Sequence, residues 1–170
     1  MRLFFYVAVL GLTASAVAHV STFIGINPQR VVPWIWVLHV MIFVVWIPVI
    51  VVTGHLVKKG NRKDFWKLAM QHAPTWMKGL CVVLLVYAFF NFFFTILVLN
   101  EEGTPSVING KKVLHNHGTI IRELSDQEYE THEAYGVRTF SGHWMMFYAV
   151  GMTVLYPTIK DSDSSRSEVD

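Results

Sequence analysis

The stretch GLCVVLLVYAFFNFFFTILVL, residues 79–99, contains no charged side chain and a single amide, Asn91. As a helix rising about 1.5 Å per residue it would reach about 30 Å, the thickness of a bilayer's hydrocarbon core. A helix on the surface of a soluble domain would show a polar face, and none is visible here. Residues 3–26, 33–56 and 140–159 likewise lack Asp, Glu, Lys and Arg. These runs are continuously apolar, without the in–out alternation of barrel strands, and helices satisfy their own backbone groups in lipid. The sequence therefore predicts an all-α membrane protein, a four-transmembrane-helix bundle forming one domain over residues 1–159. Residues 100–139 are expected to form a small outward-facing α+β cap, a hairpin plus a helix, between helices 3 and 4. Residues 160–170, acidic and serine-rich, read as a disordered cytoplasmic tail.

Composition agrees. Charged residues make up 15% of the 170-residue chain and apolar residues 53%, where soluble domains carry about 25% charge. A net charge of +2 lacks the basic excess of a nucleic-acid binder, so nucleic acid is not an expected partner. One cysteine, Cys81, excludes a disulfide framework. There is no Walker loop, G-x-S-x-G, H-E-x-x-H or dinucleotide fingerprint, and catalysis is not the expected role.

Direction follows from charge. The connection after the second apolar stretch holds Lys58, Lys59, Arg62, Lys63, Lys67 and Lys78 against one acid, Asp64. Basic connections stay on the cytoplasmic side, which puts both termini there as well, with a bacterial inner membrane as the expected setting. The segment 100–139 then faces outward, and it carries seven acids against four bases. A second reading of the N-terminus stays open. Arg2, an apolar core and Ala16-Val17-Ala18 have the form of a signal peptide cleaved after residue 18, whereas the apolar run continues to Ile26 and reaches bilayer length. Asp64–Met70 reads as a short amphipathic helix at the lipid surface.

Within the cap, Asn109-Gly110 between Ser106–Ile108 and Lys111–Leu114 is a type I′ hairpin signal. Thr119-Ile120-Ile121 adds a third strand. Ser125-x-x-Glu128 is a capping box that starts a helix, on whose surface Glu128, His132 and Tyr135 lie near one another. Gly136 is expected to interrupt that helix before the last crossing.

Ionisable side chains inside a span are costly and turn to the bundle interior. His19, His39, Asn91 and His143, one from each apolar stretch, all fall in the outer half. Ala8, Gly11, Ser15 and Ala18 make a small-residue stripe suited to close helix contact, with His19 at its edge. Two neutral imidazoles at one depth among aromatic side chains are what a haem b takes, and imidazole suits copper or zinc equally. His115 and His117, i and i+2 on a strand, would share one face and, with His132, are further candidate metal ligands. The competing reading makes the histidines polar ties between helices. Trp34, Trp36 and Trp144 read as an interface belt, and Tyr87, Tyr148 and Phe89–Phe94 as packing and lipid contact.

Three functions fit these features. The first is a non-catalytic accessory, scaffold or assembly component, surrounded by membrane lipid and acting through a protein partner or as a homo-oligomer. The second is a haem b or transition-metal protein for electron transfer or metal handling, using His19, His39, His143 and Asn91. The third is a small-solute conduit, although no buried carboxylate offers proton coupling.

Overall fold

The computed structural model describes residues 2–59, 65–100 and 103–156. The tail expected over 160–170 and the last residues of the fourth apolar stretch, 157–159, lie outside the described residues. Helix α1 (Arg2–Ser21) closes in a 3-10 turn over Thr22–Ile24. A single-turn helix α2 (Pro28–Val31) follows, its N-terminus capped by the Asn27 side chain, which accepts from the Gln29 N–H. Helix α3 (Val37–Lys59) runs unbroken through Pro48. The short α4 (Phe65–Ala69) falls within the stretch where a short helix was expected. Helix α5 (Thr75–Phe94) continues as a π-helical turn over Thr95–Leu99. Strands β1 (Thr104–Ile108), β2 (Lys111–Asn116) and β3 (Thr119–Glu123) lead into the long helix α6 (Asp126–Leu155).

Three of these helical segments are long and apolar enough to cross a membrane: Arg2–Ile24, Val37–Gly54 and Thr75–Leu99. Helix α6 is of another kind. Its first half carries acids and bases, its second half is apolar, and the expected separate fourth helix is the C-terminal part of this one continuous element. Gly136 does not interrupt it. Glycine in a helix costs about 1 kcal/mol, too little to break a helix held by packing on both sides of the position.

The three strands form one antiparallel sheet in the order β1-β2-β3. Asn109 and Gly110 sit at φ 52° and 79°, the two positive values that a type I′ turn needs. The second turn repeats this with His117 at 46° and Gly118 at 85°. A bulge between Leu114 and His115 shifts the β2–β3 register. The expected capping box is present. Ser125 Oγ accepts from the Glu128 N–H, and the Glu128 carboxylate accepts from the Ser125 N–H at 2.8 Å. Ion pairs from Lys112 to Asp126 (2.8 Å) and from Arg122 to Glu128 (2.6 Å) fasten the sheet to the first turn of α6.

The core is built on α6. Ala8, Gly11, Ser15 and Ala18, the predicted stripe, are the buried face of α1. At Gly11 a Cβ would collide with the Tyr148 ring, so only glycine lets α1 and α6 approach this closely. Phe5 near the start of α1 packs with its ring centroid 6.2 Å from that of Tyr156, just past the end of α6, so these two helices are antiparallel. At the opposite end Asn27 donates to Glu133 at 3.1 Å, and Arg30 lies 3.4 Å from the same carboxylate. The α1–α3 connection and the sheet-bearing end of α6 therefore meet on one side of the bundle.

Candidate functional site

The segment RTFSGHW, residues 138–144, is about two turns of α6, and it presents polar groups to α1, α3 and α5 in turn. From α5, Asn91 Nδ2 donates to the Arg138 carbonyl at 2.8 Å. The approach depends on Gly142, where a Cβ would stand 3.0 Å from that nitrogen. From α1, His19 uses both ring nitrogens. Nδ1 lies 2.7 Å from Ser141 Oγ, and Nε2 is hydrogen-bonded to the Tyr87 hydroxyl of α5. Ser141 Oγ also donates to the Arg138 carbonyl at 3.2 Å. One proton arrangement satisfies all three: Tyr87 O–H donates to Nε2, Nδ1–H donates to Ser141, and Ser141 O–H donates to the carbonyl. His19 is then the neutral Nδ1–H tautomer, 4% exposed.

Arg138 spreads its guanidinium over the Phe23 ring, 3.7 Å from the centroid. Its Nε is buried with no hydrogen-bond partner among the described residues. A cation–π contact thus compensates part of what that nitrogen loses on leaving water.

The α3 contact is separate. Trp144, fully buried, donates its Nε1–H to His39 Nδ1 at 2.9 Å, which places the imidazole proton on Nε2. Phe140 and Phe43 flank the His39 ring, each with a centroid distance of 6.0 Å. Tyr148 donates to the Leu38 carbonyl at 2.6 Å, a second tie to α3. His143 turns elsewhere again. Its Nδ1 donates to the Thr139 carbonyl at 3.2 Å, and its ring packs edge-on against Phe92 at 5.2 Å.

The four residues expected together, His19, His39, Asn91 and His143, thus all gather around one stretch of α6, but each has its own partners. Among the described residues, no group of three or more His, Cys, Asp or Glu is arranged to hold a metal. In the sheet, the expected shared face of His115 and His117 is not formed. Strand β2 ends at Asn116, and His117 takes the left-handed position of the following turn. His115 Nδ1 is buried with no hydrogen-bond partner among the described residues. His132 packs against Tyr135 with ring centroids 5.5 Å apart. Both, with Glu128, line a polar pocket of about 310 Å³, the nearness that helical spacing predicts, although His132 is buried rather than on the helix surface.

Outside the apolar helices, the electrostatics are those of a clamp. The Ser125 backbone N–H and hydroxyl, with Arg122, hold the Glu128 carboxyl down to about 2. Lys112 lowers Asp126 in the same direction.

Sequence reasoning missed Tyr87, Ser141 and Trp144 as partners of the histidines, and Arg138 as the carbonyl that Asn91 and Ser141 share. Trp144, expected at the membrane interface, is interior, and Tyr87 and Tyr148 use their hydroxyls within the bundle. A signal was available: Arg138, Ser141 and Tyr148 recur at spacings of three and seven, one face of a helix. No protein-family model, no curated protein and no solved structure matches the chain.

Proposed function

We propose that the chain is an integral membrane protein with four crossings, α1, α3, α5 and the apolar half of α6. Its termini would lie on the cytoplasmic side of a bacterial inner membrane, with the sheet facing outward. Its role is that of a non-catalytic accessory, scaffold or assembly component acting through a protein partner or a second copy of itself.

The observation that carries this reading is the use made of the polar side chains. His19, Tyr87, Asn91, Ser141, Trp144 and Tyr148 are spent on tying α1, α3 and α5 to α6. The faces turned away from these ties carry Leu10, Val17, Ile47, Val86 and Phe90, each more than 60% exposed. Faces of that kind are covered by lipid or by another protein's helices. Crosslinking in the native membrane tests this: the chain is expected in an assembly heavier than its 19.5 kDa. Protein purified in mild detergent is expected to lack both a Soret band and a stoichiometric metal.

One observation favours the second reading. His143 donates Nδ1–H to a backbone carbonyl, which leaves Nε2 as an unprotonated lone pair, the tautomer in which metal-ligating imidazoles are usually held. Haem, copper or zinc at one per chain, lost in His143→Ala, would replace the scaffold reading with that one.

A further inference from the structure

Helices α3 and α5 both pack on α6, and between them a groove of about 810 Å³ opens. Its floor is Phe147 and Val150 of α6, and its α5 wall is Val82 and Leu85. Trp46 of α3, edge-on to Phe147 at 5.6 Å, closes the deep end. The other end is different in kind. Lys67 of α4 and Lys78 of α5 stand there beside the exposed Trp66. Lys78 reaches back across the opening to the Gln71 carbonyl at 3.4 Å. Among the described residues, no acid lines the groove.

From this geometry we infer that the groove is a binding site for one anionic phospholipid, its acyl chains between α3 and α5 and its phosphate at Lys67 and Lys78. The inference rests on the integral-membrane reading. The dimensions fit a lipid from one leaflet. Lys78 to Leu85 is about 10 Å along a helix, so the groove runs from the headgroup level toward the bilayer midplane, about 15 Å deep. The volume lies within the range of sites that enclose a ligand. The chemistry is split by depth as a lipid's is, with apolar walls below and two cations and an indole at the surface. A partner helix would need no cations at one end of its seat, whereas a phosphate does.

The test uses the whole chain, purified in mild detergent and offered equal phosphatidylglycerol and phosphatidylcholine with the same acyl chains. Retained lipid is weighed by native mass spectrometry. Phosphatidylglycerol is expected to be kept about tenfold over phosphatidylcholine. Lys67→Gln combined with Lys78→Gln should erase the preference while both lipids still bind, and Val82→Trp should cut retention of both. Equal retention by the unaltered protein, or no response to either change, overturns the inference. A dimer that Val82→Trp dissolves would seat a second copy in the groove and overturn it too. Alkaline carbonate separates the two levels of the argument. A chain washed from membranes sinks the integral-membrane reading itself. A chain that stays and shows no lipid preference sinks only the groove.

Discussion

At the scale of single residues, two glycines and one histidine set how closely the helices approach. Gly11 faces the Tyr148 ring with no room for a Cβ. Gly11→Ala must push apart α1 and α6, and such overpacking costs about 1–3 kcal/mol. A lower thermal midpoint in detergent is the expected result, and an unchanged one would mean that α1 does not seat on Tyr148. Tyr87→Phe tests the His19 network more gently, because it removes one donor and leaves the packing. A loss of about 0.6–1 kcal/mol is expected, the usual worth of an interhelical hydrogen bond. In a double-mutant cycle with His19→Ala most of that loss should disappear, and full additivity would show that the two side chains do not interact. The small-residue stripe of α1 was legible because it is a local pattern with helical spacing. The partners of His19 were not, since the register of one helix against another is written in no single segment.

At the scale of elements, the sheet and the first turn of α6 followed from short-range chemistry. Asn-Gly demanded a tight hairpin, and Ser-x-x-Glu demanded a helix start. Two local readings failed where a neighbouring element decided the outcome. His117 was drawn into a turn by Gly118, and Gly136 was carried through by the packing of α6. The clamp at the start of α6 makes a pH prediction. The Glu128 carboxyl is held at about 2 against an ordinary value of 4.5, by Ser125 and Arg122. A carboxyl lowered in the folded state contributes stability that is fully present above its unfolded value and is lost as pH falls through the folded one. Fastening of the sheet to α6 should therefore hold above about pH 4.5 and weaken progressively toward pH 2, with Asp126 acting in the same sense. Amide hydrogen exchange over residues 119–130 reads this directly. In Glu128→Gln the faster exchange should be present already at neutral pH, with a much smaller acid response. A wild-type acid profile in that variant would remove Glu128 from the clamp.

At the scale of the whole molecule, three membrane-length helices were legible from hydropathy alone, while the fourth apolar stretch belongs to a 30-residue helix whose first half carries all of its charged residues. On the proposed four-crossing reading, α6 would enter lipid partway along its length, where its charged half gives way to its apolar half near Arg138 and Phe140. The sidedness of the chain can then be argued from two charge balances that agree. The connection around α4 is basic, and the segment from Asn100 to Thr139 is acidic. The only native thiol, Cys81, is buried against Thr153, so introduced cysteines report cleanly. In a bacterial inner membrane, Gln127→Cys, exposed at the start of α6, should react with a membrane-impermeant maleimide on intact cells. Thr75→Cys, exposed at the start of α5, should react only after permeabilisation. A reporter enzyme joined after Asp170 completes the set: cytoplasmic activity together with outward Gln127 requires α6 to cross. If Gln127→Cys labels from outside while the reporter is also outside, α6 does not cross and the bundle has three crossings. If Thr75→Cys is the one that labels on intact cells, the basic connection lies outward and the orientation is inverted. The hydrogen bonds that tie α1, α3 and α5 to α6 are formed inside the bundle, and they would survive that inversion unchanged. Only the fixed register between these helices is needed for the polar core, whereas the lipid groove depends on which leaflet surrounds Lys67 and Lys78.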